Sequence, residues 1–322
     1  MKEPKILELM AKNSRILCIG DMCADLIVPY GRVKRLSGGN PLQLQKDSNV
    51  IFRQGGSVAN TAVVLGKMKE MPVFITPVGN DESGRFLREE LEKHGVDMRY
   101  SRTSKKGSMI CIAVLDEFGE RTMFHWVPPW GEYPHFSKQD FPEELFRFPS
   151  IIFTSGMVLN HDENSAKSIL NFLDEMKKRD DSFFVFDLNT RTETYGMNRE
   201  RKNLYHEFMK RADIVIGSGS EEFQPVFGKG SVLECIKELL ESGKIVIEHS
   251  GANPVHVFWD SEIHEIPTYE AEPLSTVGAG DAFNAAFIHA VREKKNILEC
   301  VRYANYISAY VISHEGHLIL PE

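Results

Sequence analysis

A chain of 322 residues with 42% hydrophobic and 26% charged residues can bury a substantial core, which excludes an intrinsically disordered protein. Its formal net charge of -8 at pH 7 argues against nucleic acid as the main partner, because surfaces that bind nucleic acid are normally basic. These values predict a globular protein that acts on small molecules.

The N-terminal stretch and the cysteines bear on the cellular compartment. Residues 1–15 carry charges throughout and lack the apolar centre of a signal peptide, and no later apolar run is long enough to span a bilayer. The five cysteines are scattered and odd in number, which favours free thiols in a reducing compartment. We therefore expect a cytoplasmic protein with no membrane partner.

Short apolar runs recur along the chain and alternate with amphipathic segments. The runs occupy residues 15–20, 72–79, 150–159, 183–188, 213–218 and 244–250. Runs that are apolar on both faces are typical of a buried parallel sheet, and the segments between them have the three- and four-residue apolar spacing of helices. The pattern predicts one α/β domain over residues 1–322, with a doubly wound, mainly parallel sheet flanked by helices.

One region departs from this alternation. Residues 107–116 and 120–127 have the composition of a β-hairpin, and residues 49–53 could supply a further strand. Because these strands lie on both sides of the helical segment 57–70, they predict a small β-sheet that is discontinuous in sequence. We expect this sheet to form a lid from about residues 26–53 and 98–130.

The stretch TVGAGDAF, residues 276–283, places Gly278, Ala279 and Gly280 before Asp281 and a helical apolar pattern. The start of a helix presents unpaired N–H groups and a positive dipole end, and glycines let an anion such as a phosphate approach them closely. A carboxylate there can accept a proton from an attacking hydroxyl group. The alternative is that Asp281 only caps the helix.

Two separated motifs favour a catalytic role of Asp281 over a role as a helix cap only. RQGGSVANTAVVLGKM at 53–68 and TVGAGDAFNAAF at 276–287 resemble the signatures of the ribokinase/PfkB family of carbohydrate kinases, and the resemblance extends over nearly the whole chain. It implies a ribokinase-like fold, an anion hole formed by Gly278, Ala279 and Gly280, and Asp281 as the catalytic base. It also implies ATP and Mg²⁺ as cofactors, with a monovalent cation such as K⁺ as an option.

The resemblance also implies a sugar-binding set. Gly55, Gly56 and Asn60 match the substrate-binding stretch of the family, and Asp25 matches its hydroxyl-binding aspartate. The segment FDLNTR at 186–191 is similar to fructokinase-like and 2-keto-3-deoxygluconate kinase-like members. Its Arg191 could bind a substrate carboxylate or an ATP phosphate, or form a surface salt bridge.

Several positions correspond to the nucleotide site of the family. Glu221 is expected to organise Mg²⁺ through water. Ser218 stands where relatives usually have asparagine, Ser275 where they have aspartate, and His249 where threonine is frequent, so magnesium organisation, cation binding and nucleotide preference could differ here. The implied nucleotide-binding residues are Ser218, Glu221, His249, Gly251, Thr276 and Asn305.

The resulting prediction is an enzyme that phosphorylates a hydroxymethyl group of a sugar or sugar acid with ATP. We expect a homodimer formed through the lid. A nucleoside kinase of the same fold is the enzymatic alternative. A sugar-binding regulatory protein with weakened phosphotransfer is the alternative from another class, and it is motivated by Ser218 and Ser275.

Overall fold

The computed structural model describes residues 14–30, 50–116, 121–126, 135–160, 163–179, 181–228, 230–259, 262–293, 295–314 and 316–321. Parts of the predicted lid, residues 31–49, 117–120 and 127–130, lie outside the described residues.

The predicted apolar runs form the strands of a large sheet. Five neighbouring pairs are parallel, from the edge strand at residues 73–75 to the strand at 245–249, and the last two strands are antiparallel. The strand order is β14-β13-β12-β11-β10-β9-β1-β4. These eight strands are β1 (Arg15–Ile19), β4 (Val73–Ile75), β9 (Ser150–Ser155), β10 (Ser182–Asp187), β11 (Ile214–Ser218), β12 (Ile245–His249), β13 (Val255–Trp259) and β14 (Glu262–Ile266).

Helices follow most of these strands and cover both faces of the sheet. Helix Glu163–Lys177 shows why: Ala166, Ile169, Leu173 and Met176 are spaced three or four residues apart and are all buried. The helices are α1 (Ser57–Lys67), α2 (Glu82–Lys93), α3 (Glu163–Lys177), α4 (Thr192–Tyr195), α5 (Arg199–Arg211), α6 (Gly219–Phe227), α7 (Val232–Glu241), α8 (Ala279–Arg292) and α9 (Ile297–Ser313). Short 3₁₀ helices span Lys138–Asp140, Glu143–Arg147 and Gly156–Leu159.

Successive residues of a strand contribute to two separate cores. In β10, Phe183 and Val185 join the core that contains α1, α8 and α9, whereas Phe184 and Phe186 join the core on the opposite face. Burial on both faces explains why these strands are continuous apolar runs. The prediction of a doubly wound, mainly parallel sheet is confirmed.

A smaller four-stranded sheet is separate from the large sheet, and its strand order is β3-β2-β7-β8. Strands β7 (Met109–Leu115) and β8 (Arg121–Trp126) form the predicted antiparallel hairpin. Strand β2 (Cys23–Val28) pairs with β7 in parallel and with β3 (Ile51–Gly55) in antiparallel orientation. The remaining strands, β5 (Val78–Gly79) and β6 (Thr103–Ser104), form a two-stranded parallel pair.

The strand order indicates where a ligand can bind. From β1 the chain adds β4 on one side and later β9 on the other, so the direction of winding reverses at β1. In open α/β sheets, ligands bind beyond the carboxyl ends of the strands at such a reversal. The residues that follow β1 and its neighbours are therefore the ones to examine.

Candidate active site

The carboxyl ends of the strands place several polar side chains along one edge of the large sheet. Asp21 follows β1, Asp187 ends β10, Ser218 ends β11 and His249 ends β12. The starts of α1 and α8 provide the other groups described below. The sequence-predicted residues from both halves of the chain are thus brought to one edge.

Asp21 caps helix α1 and was not predicted. Its carboxylate accepts hydrogen bonds from the backbone N–H groups of Ser57 at 2.7 Å and Val58 at 3.2 Å. The residue before the helix is Gly56, with φ at 100°, and a Cβ there would lie 2.8 Å from the carbonyl oxygen of Asp21. A helix that begins after two glycines has no side-chain cap of its own, and this signal could have revealed Asp21.

Asp281 lies in the first turn of α8 and faces α1. Its two carboxylate oxygens accept hydrogen bonds from Ser57 Oγ and Asn60 Nδ2, each at 2.7 Å. Burial raises the pKa of Asp281 to about 6, although these two hydrogen bonds lower it. The carboxylate is held by side chains of another helix, so its contacts do not support a role as the cap of α8.

The glycine loop leaves space at the start of α8. A Cβ at Gly280 would meet no atom within 4 Å, so a ligand could approach the backbone there. The N–H groups of Gly280 and Asp281 belong to the first turn, where an α-helix offers them no internal acceptor. Gly278 has φ at 86°, and Thr276 is exposed, with its carbonyl oxygen accepting a hydrogen bond from the Ala279 N–H at 3.4 Å.

The C-terminal segment packs behind this loop. A Cβ at Gly278 would lie 2.7 Å from Cδ2 of Leu318. Lys67 Nζ donates hydrogen bonds to the carbonyl oxygens of His317 at 3.1 Å and Leu318 at 2.8 Å. Gln54, next to the predicted sugar-binding glycines, has its amide nitrogen Nε2 3.1 Å from His317 Nε2. Residues 316–321 therefore support the loop, with the Leu318 side chain buried against it.

Asp25 and Gly55 meet on neighbouring strands of the smaller sheet. Asp25 pairs with Arg53 at 3.7 Å, and a Cβ at position 55 would collide with the Asp25 carboxylate. Glycine is thus required at position 55 so that the carboxylate can lie against the backbone. The structure places this pair where the smaller sheet joins α1, whose residue Asn60 contacts Asp281.

The loop after β10 has a constrained backbone. Asn189 has φ at 33° and Arg191 has φ at 46°, which lie in the left-handed region that non-glycine residues rarely adopt. The buried guanidinium of Arg201 donates hydrogen bonds to the carbonyl oxygens of Thr190 and Gly196. These contacts fix the loop that carries Arg191.

Arg191 is exposed and faces a group of carboxylates. Burial raises the pKa of each member of this group, and the positive charge of Arg191 lowers each of them. No ion pair of Arg191 is found among the described residues, so the guanidinium remains available to an anion. The group consists of Asp21, Asp187, Glu222 and Asp281.

The structure directs Glu222, rather than the predicted Glu221, toward the site. Glu221 is exposed, whereas the carboxylate of Glu222 accepts hydrogen bonds from the N–H groups of Ser218 at 2.7 Å and Thr190 at 3.2 Å. Burial raises the pKa of Glu222. Because α6 begins at Gly219, the residue at 222 is the one that turns back toward the end of β11.

Comparison with known proteins assigns the family. The model of the pfkB family carbohydrate kinase matches residues 13–321. The chain is a pfkB-family carbohydrate kinase. Among curated relatives, the 5-dehydro-2-deoxygluconokinase of Clostridium botulinum strain Eklund 17B is 25% identical over 300 residues, which cover 89% of this chain and 87% of that protein.

Solved structures of other proteins have the same fold as this kinase. The fructokinase of Vibrio cholerae O395, bound to fructose, ADP and calcium, has a TM-score of 0.80 at 24% identity, with 96% of each chain covered. Aminoimidazole riboside kinase from Salmonella enterica, bound to aminoimidazole riboside and an ATP analogue, has a TM-score of 0.75 at 24% identity, with 95% of each chain covered. The predictions of a ribokinase-like fold and of a sugar kinase are confirmed.

The remaining nucleotide-site predictions fall on different environments in the kinase. The His249 ring lies 5.6 Å from the Phe283 ring, and burial lowers its pKa to about 4, so the imidazole is neutral at pH 7. Gly251 is exposed, with φ at 55° and open space around it. Asn305 is buried, and its Nδ2 donates a hydrogen bond to the carbonyl oxygen of Pro267 at 3.1 Å. This donor of Asn305 is therefore already engaged within the protein.

The kinase has oxygen ligands that fit a divalent cation. Asp187 accepts a hydrogen bond from Asn284 Nδ2 at 2.9 Å, while the buried Oδ1 of Asn284 has no partner among the described residues. Burial, and next the charge of Glu222, raise the pKa of Asp187. Carboxylate and amide oxygens suit Mg²⁺, which normally keeps several waters and binds phosphates as well.

Two features are absent from the described part of the kinase, a metal-binding cluster of acidic, histidine and cysteine side chains and a membrane-spanning helix. No group of three or more His, Cys, Asp and Glu residues there is arranged to hold a metal ion by itself. Nor does the described chain contain a helix that is long and apolar enough to cross a bilayer. A cation at Asp187 and Glu222 would thus need ligands of another kind as well, such as the amide oxygen of Asn284, water or phosphate.

Proposed function

We propose that the kinase transfers the γ-phosphoryl group of ATP to a hydroxymethyl group of a sugar acid or sugar, with Asp281 as the general base. One observation carries this proposal: the Asp281 carboxylate is held by Ser57 and Asn60 beside the open backbone of Gly280. A base and an anion-binding helix start are thereby combined at one place, as phosphoryl transfer requires.

The proposed step begins with proton transfer. Asp281 accepts the proton of the substrate hydroxyl, and the oxygen of that hydroxyl attacks the γ-phosphorus. A new O–P bond forms while the bond between the γ-phosphorus and the β,γ-bridging oxygen breaks, and ADP leaves with that oxygen. The N–H groups of Gly280 and Asp281 stabilise the charge on the transferred group.

The acidic residues near β10 and β11 would organise the nucleotide. When bound, Mg²⁺ supplies positive charge that neutralises the phosphates. Asp187, Glu222 and the Oδ1 atom of Asn284 would hold it, partly through water. Ser218, His249, Gly251 and Thr276 stay predictions for nucleotide contacts, and a K⁺ requirement stays a prediction of the resemblance.

The presence of Arg191 supports a sugar acid, rather than a neutral sugar, as the substrate. Arg191 lies on a loop fixed by Arg201 and forms no ion pair among the described residues, and a planar fork of N–H donors matches a carboxylate. The name of the clostridial relative, 5-dehydro-2-deoxygluconokinase, indicates a substrate of the gluconate class. Asp25, Gly55, Gly56 and Asn60 would bind the hydroxyl groups, with the smaller sheet acting as a lid that excludes water.

A coupled assay of ADP release tests the proposal. The purified protein is given ATP, Mg²⁺ and a panel of sugar acids, neutral sugars and nucleosides, with and without K⁺. We expect the highest kcat/KM for a sugar acid. Preference for a nucleoside would support the alternative kinase, and ligand binding without ADP release on any substrate would support a regulatory binding protein.

A further inference from the structure

Ser57 connects several elements at the first turn of α1. Its backbone N–H binds Asp21, its carbonyl oxygen accepts a hydrogen bond from Thr61 Oγ1 at 3.1 Å, and its Oγ donates to Asp281. The same Oγ accepts a hydrogen bond from Asn189 Nδ2 at 2.8 Å. Ser57 and Asn189 are both buried, so water does not compete freely for these bonds.

The donor and acceptor groups of Asn189, Ser57 and Asp281 fix the direction of these hydrogen bonds. An amide Nδ2 can only donate, so the Asn189 side chain must use a lone pair of the Ser57 oxygen. The single hydroxyl proton of Ser57 is then directed at the Asp281 carboxylate, which lies 2.7 Å away and can only accept while ionised. Asn189 therefore acts on Asp281 through Ser57 although the two side chains have no direct hydrogen bond.

We propose that Ser57 and Asn189 are positioning residues: Asn189 orients the Ser57 hydroxyl, and this hydroxyl holds the Asp281 carboxylate in place for the substrate. The proposal rests on the proposed function, because it assigns Asp281 as the base. The left-handed backbone of Asn189, at φ 33°, has a purpose in this arrangement, since it turns the amide from the end of β10 toward α1.

We call the hydrogen bonds from Asn189 to Ser57 and from Ser57 to Asp281 the relay. The charges that face Asp281 determine how this relay can be detected. They come from Asp21 after β1, Asp187 at the end of β10 and Arg191 in the following loop. Ser57 and Asn60 are neutral donors that favour the ionised carboxylate. Loss of the Ser57 donor should raise the pKa of Asp281, and kcat/KM should then require a higher pH.

The test compares the pH dependence of kcat/KM for the wild type, Ser57→Ala, Asn189→Gly and the double variant. Glycine is chosen at 189 because it tolerates a positive φ. We expect the acidic limb, near pH 6 in the wild type, to move up by about one pH unit in Ser57→Ala and by less in Asn189→Gly. The double variant should match Ser57→Ala, because Asn189 has no route to the base without Ser57.

Thr61→Val is the matched control. Its hydroxyl lies on the same helix and contacts the carbonyl oxygens of Ser57 and Asp281, at 3.1 and 3.3 Å, but not the carboxylate. We expect its acidic limb to stay at the wild-type pH. Additive shifts in the double variant would overturn the relay, and an unshifted limb in Ser57→Ala is interpreted with the titration below.

A titration without turnover separates the relay from the proposed function. Carboxyl ¹³C resonances of labelled aspartates are followed against pH, and Asp281 is assigned by its loss in Asp281→Asn. A raised Asp281 pKa in Ser57→Ala, together with an unmoved kinetic limb, supports the relay but rejects Asp281 as the base. An unchanged pKa rejects the relay directly.

Discussion

Asp281 is a carboxylate whose surroundings place its pKa closer to neutral pH than that of an ordinary aspartate. Two neutral donors hold its oxygens, and burial raises its pKa to about 6. A direct salt bridge would instead stabilise the ionised form and make a weaker base. Because the group must be ionised to accept a proton, activity should decline as pH falls through about 6.

If Asp281 is the base, replacing it with Asn should abolish proton transfer while keeping the shape of the side chain. The amide of Asn60 can rotate to receive the new donor, since its Oδ1 is buried without a partner among the described residues. We expect kcat to fall by roughly 10² to 10⁴-fold, with ATP affinity and the melting temperature unchanged or higher. Rapid kinetics, nucleotide titration and thermal melts check this, and near-normal turnover with a lowered melting temperature would contradict it.

Arg191→Ala should discriminate between substrate classes. If the guanidinium binds a substrate carboxylate, KM for the sugar acid should rise by about tenfold or more, with a much smaller change in KM for ATP. Arg199→Ala removes the same charge from an exposed position at the start of α5 and serves as the control. Equal weakening of both substrates would assign Arg191 to the nucleotide phosphates instead.

The neighbouring glutamates of α6 provide a matched pair for the metal proposal. Glu222→Gln removes a partly buried charge beside Ser218 and Thr190, whereas Glu221→Gln changes an exposed one. We expect Glu222→Gln to raise the Mg²⁺ concentration for half-maximal ADP release by about tenfold or more, and Glu221→Gln to leave it unchanged. The opposite ranking would restore the sequence-based choice of Glu221.

The candidate site could be proposed from the sequence where its residues lie within one motif. Gly278, Gly280 and Asp281 are adjacent in sequence, and a helix start with glycines has a local physical meaning. Ser57 and Asn189 were missed because their contacts join positions 132 residues apart. Glu222 was missed for a different reason: the sequence does not show which of two adjacent glutamates turns toward the Ser218 and Thr190 N–H groups.

At the scale of elements, the two glycines at the start of α8 differ in their surroundings. Gly280 has no close neighbour at its Cβ direction, while Gly278 combines a φ of 86° with the nearby Leu318 side chain. Backbone conformation and packing therefore explain glycine at position 278 but not at position 280, although both residues belong to one sequence motif.

Alanine at each position should reveal this difference. Gly280→Ala should keep or raise the melting temperature, because alanine favours a helix by about 0.5–1 kcal/mol, yet lower kcat/KM for ATP by about tenfold or more. Gly278→Ala should cost about 1–3 kcal/mol of stability. Thermal melts and steady-state kinetics measure both effects, and full activity in Gly280→Ala would contradict an anion site at this turn.

The strands were easier to predict than the ends of helices. Phe183 to Phe186 are apolar without interruption because alternate residues fill two cores, and this property is visible in the sequence. The start of α1 was not visible in the same way, since its cap is the carboxylate of Asp21, 36 positions earlier in the chain.

At the scale of the whole molecule, the smaller sheet exposes apolar side chains at both of its edge strands. Ile51 and Phe52 on β3 and Phe124 on β8 are 48%, 43% and 49% exposed. Edge strands with exposed apolar residues are prone to pair with another chain. This supports the sequence-based prediction of a homodimer formed through the lid.

Sedimentation velocity at micromolar concentration should show a dimer of two 36.6 kDa chains. Phe124→Lys should shift the population toward monomer, because it places a charge on the exposed edge. Leu274→Lys is the control, since Leu274 is 62% exposed but lies outside the smaller sheet. A wild-type protein that sediments only as monomer would count against the dimer.

The support that residues 316–321 give to the glycine loop makes this segment a place from which the site can be observed. All five native cysteines are buried, so a thiol-reactive dye should label them slowly. Ile319 is 36% exposed and adjoins Leu318, whose side chain lies against Gly278. A fluorophore on Ile319→Cys would therefore report, in real time, how the loop responds when nucleotide arrives and when product departs.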